Sequence, residues 1–172
     1  MISFQINDVK SFMNDLFAAE RFDDFPVIHV EIKTFCDFDI SGRINPSFFK
    51  RSDESGSEKT PGDSPRPSGH IKWKKIKGLC YGMIKGERTP LRLKISLLCP
   101  DETAKKIILD SGARLNENDA VSLCLNFKYE NDILTCTSGI SLSAFSMDRL
   151  LEKHFDDQAF KYFSKMYGAR IL

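Results

Sequence analysis

The sequence predicts a single α+β domain in which amphipathic helices cover mainly one face of a mostly antiparallel sheet. Residues 28–44 and 121–142 alternate between apolar and polar positions as β-hairpins do, and residues 91–98 have the pattern of a strand that connects them. Segments with the apolar spacing of helices lie before, between and after the hairpins. Since each such helix must bury its apolar stripe against a sheet face, this order favours the α+β class.

The composition is that of an ordinary globular chain. Its 172 residues are 41% hydrophobic and carry a formal net charge of +1, so no overall field attracts nucleic acid or membrane. The first residues, MISFQINDVKSF, lack the features of a signal peptide, and no segment has the roughly 18 apolar residues of a membrane span. The five cysteines form no CxxC pair. We therefore expect a cytoplasmic protein with reduced thiols and no membrane partner.

Residues 51–70 differ in composition from the rest of the chain. They contain five serines, three prolines and three glycines, and no aliphatic or aromatic residue. Such a segment buries no apolar surface, so we expect a mobile surface loop. Because both flanks have structured patterns, the loop is predicted to be an insertion inside one domain that comprises residues 1–172.

A helix is predicted near the start of the chain. Asn7 or Asp8 should cap it, because these side chains accept hydrogen bonds from the first free backbone N–H groups. Its apolar positions form one stripe, which consists of Val9, Phe12, Met13, Leu16 and Phe17. The segment MISFQI before it is a candidate edge strand.

The first hairpin follows this helix. Its apolar positions are Ile28, Val30, Ile32, Phe38, Ile40 and Ile44. A three-residue connection at 34–36 would place Ile32 opposite Phe38 and Val30 opposite Ile40. Both strands then have one apolar face, which favours this register.

Between the loop and the second hairpin we expect a helix, a strand and another helix. Their apolar positions are, in order, Trp73, Ile76, Cys80, Met83 and Ile84; Leu91, Leu93, Ile95 and Leu97; and Ala104, Ile107 and Ile108. Gly86 should end the first helix and Gly112 the second, with Asp101 as the N-cap of the second.

The second hairpin has a two-residue turn at Asn131 and Asp132, both of which tolerate positive φ. The register that follows from this turn pairs Tyr129 with Leu134, Phe127 with Cys136, Leu123 with Ile140, and Val121 with Leu142. A final helix should run from about Asp148 to Tyr167. Its core face consists of Leu151, Phe155, Ala159, Tyr162, Phe163 and Met166.

Three stretches carry a resemblance to a known family. They are MISFQINDVKSFMNDLF at residues 1–17, the stretch of residues 73–95 that begins with Trp73 and ends in IKGERTPLRLKI, and YENDILTCTSGISLSAFSMD at residues 129–148. In overall pattern the chain, apart from residues 51–70, resembles a domain-of-unknown-function family of small cytoplasmic proteins from gram-positive anaerobic bacteria. The family has no assigned activity, so the resemblance transfers no functional residue.

Positive charge is concentrated in residues 72–94, which we call the basic region. Its eight lysines and arginines against one glutamate give a local charge of +7, whereas residues 1–41 carry −5. The residues predicted to contact an acidic partner or nucleic acid are Lys72, Lys74, Lys75, Lys77, Lys85 and Arg88. The competing interpretation is that these lysines lie on the solvent-exposed face of a helix, where replacing Lys74, Lys75 or Lys77 does not disturb the fold. Trp73 then lies in the core.

Gly78 and Gly82 lie on one side of the same predicted helix. Each costs roughly 1 kcal/mol relative to alanine, which the close approach of another backbone, or of a ligand, would offset. Close packing is the favoured explanation. The phosphate-binding patterns GxxxxGK[ST] and GxGxxG are absent from the sequence, and no cofactor is implied.

The first hairpin offers an alternative site. In the predicted register Glu31 lies opposite Asp39 on the polar face, with His29 two residues away. Two carboxylates across a ladder repel each other unless a cation or a shared proton intervenes. His29, Glu31 and Asp39 would then bind a divalent metal or form an acid/base pair. The alternative without a functional site is a solvent-exposed sheet face on which the charges interact only weakly.

The preferred hypothesis is a binding module whose partner, protein or nucleic acid, meets the basic region. The alternative is a metal-dependent or acid/base enzyme that uses His29, Glu31 and Asp39.

Overall fold

The computed structural model describes residues 1–50, 69–86, 88–113, 121–142 and 149–172. In these residues the strands are β1 (Ser3–Ile6), β2 (Val27–Lys33), β3 (Asp37–Ser41), β4 (Arg92–Leu98), β5 (Val121–Glu130), β6 (Ile133–Leu142) and β7 (Arg170–Ile171). They form one sheet in the order β3-β2-β4-β5-β6-β1-β7, and neighbouring strands are antiparallel.

The described residues also form five helices. They are α1 (Val9–Phe17), α2 (Pro46–Lys50), α3 (Lys77–Ile84), α4 (Asp101–Ser111) and α5 (Leu150–Tyr167), and a 3-10 turn at Trp73–Lys75 precedes α3. Phe12 of α1 and Phe163 of α5 both contact Phe127 of β5, with ring centroids 4.9 and 5.6 Å apart. The predicted α+β fold is therefore confirmed.

Both predicted hairpin registers are confirmed. Ile32 pairs with Phe38 and Val30 with Ile40 in the first hairpin. In the second hairpin all four predicted pairs are present. Asn131 and Asp132 have φ values of 52° and 59°, the left-handed geometry that joins strands through a type I′ turn.

The sheet departs from the prediction in three places. β1 pairs with β6 on one side and with the short β7 on the other, so it is not an edge strand. A register shift between Val27 and His29 puts Val27, fully buried, into the core position expected for Ile28. Leu91 precedes β4 and is 71% exposed, because the core face of that strand begins at Leu93.

The helices also differ in detail. Asp101 is the first residue of α4 and Pro100 is its N-cap, whereas Gly112 ends that helix with φ 65° as predicted. The helix α3 ends at Ile84 with Lys85 in an extended conformation, and Gly86 has no positive φ.

The C-terminal end of α5 has a different core face from the predicted one. Tyr162 and Met166 are 40% and 37% exposed, whereas Tyr167 is buried. The buried positions repeat every four residues from Leu151, a pattern that reaches Tyr167. The predicted start of this helix at Asp148 lies outside the described residues.

The ends of the serine-rich segment meet in the structure. The backbone N–H of Ile44 donates to the carbonyl of Gly69, and that of Ile71 donates to the carbonyl of Gly42. The chain before the serine-rich segment therefore lies next to the chain after it. Residues 51–68 themselves lie outside the described residues, so the mobile loop stays a prediction, as does the organisation into one domain.

Candidate functional site

Trp73 belongs to the core and not to a surface. Its side chain is fully buried, and its indole N–H donates a hydrogen bond of 2.6 Å to the carbonyl oxygen of Leu16. Its ring also packs against Phe17, with centroids 5.6 Å apart. Such a ring offers no face on which a nucleic-acid base would stack.

Two lysines of the basic region pair with the acidic segment that follows α1. Lys72 Nζ lies 2.5 Å from Asp24 Oδ1, and Lys77 Nζ lies 2.5 Å from Asp23 Oδ1. Lys77 also donates to the carbonyl of Ala19 at 3.0 Å, and its side chain is only 19% exposed. The expectation that Lys77 occupies a solvated position is therefore wrong, because its ion pair with Asp23 holds it against the segment that follows α1.

The cations of β4 neutralise the carboxylate of β2. Lys94 Nζ lies 2.9 Å from Glu31 Oε2, and Arg92 Nη1 lies 3.4 Å from Glu31 Oε1. The hydrogen bond from Lys94, with that of Arg92, lowers the pKa of Glu31. Arg92 also pairs with Glu130 on the neighbouring strand β5. Much of the charge in the basic region thus forms ion pairs within the domain.

His29, Glu31 and Asp39 lie near one another on the polar sheet face. Glu31 is directly opposite Asp39, as predicted, and His29 Nε2 lies 2.9 Å from Asp39 Oδ2. Glu31, however, interacts with the cations of β4. Within the described parts of the chain, no group of three histidine, cysteine, aspartate or glutamate side chains could hold a metal ion. The acid/base and metal hypotheses gain no support from this geometry and stay predictions.

Other cations of the basic region face solvent. The exposed ones are Lys74, Lys75, Lys85 and Arg88. Lys85 and Arg88 lie in the segment that connects α3 to β4. This segment is bordered by Ile84 and Thr89, both of which line a cleft. The structure thus puts part of the predicted cationic surface beside a concave site.

This cleft, which we call the α1–α3 cleft, has a volume of about 540 Å³. It is lined by Val9, Met13, Asn14, Phe17, Ala18, Tyr81, Ile84, Thr89, Pro90, Leu93 and Tyr129. Its walls are therefore mostly apolar, and Tyr81 on its rim is 49% exposed. Sequence reasoning missed this site because its walls come from four separate parts of the chain. The only local signal was Tyr81, an aromatic residue outside the predicted core stripe of α3.

The two helical glycines do not mark a close contact. A Cβ atom added to Gly78 or Gly82 would have no atom of the described residues within 4 Å, its own helix backbone and chain neighbours aside. The explanation that another backbone packs against them is therefore wrong. Both positions face open space on α3.

Comparisons with known proteins identify a family but not an activity. A model of a family of unknown function, DUF5721, matches residues 15–167. No curated protein and no solved structure matches the chain. In the part of the chain that the structure describes, no helix has the length and apolar character needed to cross a membrane. Because the family match covers most of its residues, the chain belongs to the family of unknown function DUF5721.

Proposed function

We propose that this domain is a binding module that docks an acidic, partly apolar segment of a partner protein in the α1–α3 cleft. The observation that carries this proposal is the position of the exposed Lys85 and Arg88 next to an apolar cleft of about 540 Å³. Apolar side chains of the partner would fill the cleft, and its carboxylates would meet the two cations. This is how grooves in other domains recognise amphipathic segments.

A protein partner fits the structure better than nucleic acid does. A phosphate backbone requires a row of available cations, and each phosphate contact adds to the salt dependence of binding. Lys72, Lys77, Arg92 and Lys94 instead pair with carboxylates of the domain. Trp73 is buried and so cannot stack on a base. These internal pairs leave the cations beside the cleft as the part of the basic region best placed for a partner.

The thiols support a reducing compartment for this function, and we propose the cytoplasm. Each of the five cysteines is free of disulfide bonds. Burial raises the pKa of the Cys80 thiol to about 11, so it stays protonated and behaves as a small apolar side chain. Unpaired cysteines are typical of cytoplasmic chains.

A display selection with random peptides, followed by fluorescence anisotropy with the enriched peptides, tests this proposal. The enriched sequences should combine leucine or phenylalanine with neighbouring aspartate or glutamate. Lys85→Glu with Arg88→Glu should weaken binding at least tenfold. The matched control is Lys105→Glu with Lys106→Glu on α4, which changes the net charge equally at exposed positions that do not line the cleft.

Two results would contradict the proposal. In one, the enriched peptides lack acidic residues, or both double variants bind them equally well. In the other, a single-stranded oligonucleotide binds with steep salt dependence and Lys74→Gln with Lys75→Gln weakens it, which would instead favour the nucleic-acid hypothesis.

A further inference from the structure

A second concave site lies at a different place in the fold, between α4, α5 and the sheet. This pocket has a volume of about 240 Å³. Its floor is apolar and aromatic, with buried side chains that include Phe22, Phe155 and Phe163. None of the residues that line it also lines the α1–α3 cleft. The pocket is therefore a separate site.

The rim of the pocket is polar, and each of its polar side chains can donate a hydrogen bond, although only Arg21 is a donor alone. They are the exposed residues Arg21, Thr103, Gln158 and Tyr162. Among the residues that the structure describes, no carboxylate lines the pocket. A ligand group at this rim would thus meet the cationic Arg21 and no acidic side chain among the described lining residues, which favours an anionic group that accepts hydrogen bonds.

Contacts with two neighbours hold the Arg21 guanidinium at the rim. Its Nε donates to Asp15 at 2.7 Å and its Nη1 donates to Tyr162 Oη at 3.1 Å. These bonds use two of the five N–H groups of a guanidinium. Asp15 also accepts a hydrogen bond of 2.8 Å from Tyr167, so its charge is shared between two donors. Arg21 is therefore oriented in advance for an anionic group.

We propose that this pocket binds a small aromatic carboxylate, with its ring on the aromatic floor and its carboxylate at Arg21. An apolar cavity of about 150 Å³ holds benzene, so a pocket of this volume accommodates a ligand on the order of ten non-hydrogen atoms. An aromatic ring with a short acidic side chain matches both the volume and the arrangement of donors. Ligand sites typically combine an apolar lining with a few placed polar groups in this way.

Titration of the full chain with phenylacetate, followed by backbone amide resonances in NMR spectra, tests this inference. Resonances of α4 and of α5 around Ala159 should shift in a saturable way. Neutral phenylacetamide should bind about tenfold more weakly, and phenethylamine should not bind. Arg21→Gln should lower the affinity for phenylacetate to that for phenylacetamide, whereas Arg170→Gln on β7 should leave it unchanged.

Ala159→Leu, which partly fills the pocket, should abolish binding of both neutral and anionic probes. If that variant fails to fold, the comparison of the three probes on the unchanged chain still decides the question. Absence of saturable shifts with millimolar phenylacetate would overturn the inference. Equal affinities for phenylacetate and phenylacetamide would overturn the assignment of the anionic group to Arg21.

Discussion

The indole nitrogen of Trp73 donates a hydrogen bond of 2.6 Å to the carbonyl oxygen of Leu16, 57 residues earlier in the chain. Leu16 lies in the last turn of α1, where carbonyl groups have no partner within the helix. Trp73 therefore supplies a hydrogen-bond donor to a carbonyl group at the C-terminal end of α1, and it also fills the core. This bond joins the basic region to α1, and the Lys77–Asp23 pair joins it to the segment that follows α1.

Two substitutions of Trp73 should separate the contribution of its hydrogen bond to stability from the contribution of its packing. Trp73→Phe should cost about 1–3 kcal/mol, mainly because the buried carbonyl of Leu16 loses its donor. Trp73→Ala should cost about 3–5 kcal/mol, since it also removes the packed ring. Urea denaturation followed by circular dichroism measures both. A free energy of unfolding of Trp73→Ala equal to that of the unchanged chain would contradict the core assignment.

Two lysines of the basic region should respond differently to glutamine. Lys77→Gln should cost about 1–3 kcal/mol, because a partly buried charged hydrogen bond to Asp23 is lost. Lys74→Gln at an exposed position should change the free energy of unfolding by less than about 0.5 kcal/mol. Thermal denaturation of the two variants provides the comparison. Equal stabilities would mean that the Lys77–Asp23 pair contributes nothing.

Glu31 should make stability depend on pH in the acidic range. Its folded pKa lies below the ordinary value of 4.5, so the unfolded chain takes up the proton first as pH falls. The stabilisation is therefore complete above the unfolded pKa and is lost as pH falls through the folded pKa.

The measurement is thermal denaturation between about pH 6 and 3, where Glu31→Gln should show a flatter decline than the unchanged chain. Asp39→Asn serves as the control, since Asp39 is mostly exposed and pairs only with His29 among the ion pairs of the described residues. It should change stability by less than about 0.5 kcal/mol at neutral pH. A pH profile of Glu31→Gln that matches the unchanged chain would contradict this role.

Two glycines should respond to alanine with opposite signs. A Cβ atom at Gly42 would overlap the backbone carbonyl of Val27. That carbonyl cannot move aside without disturbing the pairing of β2 with β4 and the hydrogen bond from Gly42 N–H to Ile28. Gly42→Ala should therefore prevent folding or lower stability by several kcal/mol, roughly the cost of severe overpacking.

Gly82→Ala should stabilise the chain by about 0.5–1 kcal/mol, because this helical position faces open space. Thermal denaturation measures both substitutions. A destabilised Gly82→Ala would show that something packs closely against α3 after all.

The sequence by itself determined most of the helices and strands and the pairing within the two hairpins, but not α2, β7 or the pairing of the other strands. Alternation and turn chemistry are local, so the positive φ of Asn131 and Asp132 and the register of both hairpins followed from nearby residues. The helical stripe of α1 and its cap at Asp8 were equally local features. These features were predictable because the residues that determine them are close to one another in the sequence.

Tertiary structure decided which charges pair and where a cavity forms. Lys94 neutralises Glu31 because β4 lies beside β2, although 63 residues separate the two in the chain. Likewise, the α1–α3 cleft exists because Phe17, Tyr81 and Tyr129 come from separate elements that meet in space. Periodicity shows which face of an element is apolar, but it does not show which element covers that face. The energy of burial depends on that contact, and only the folded chain provides it.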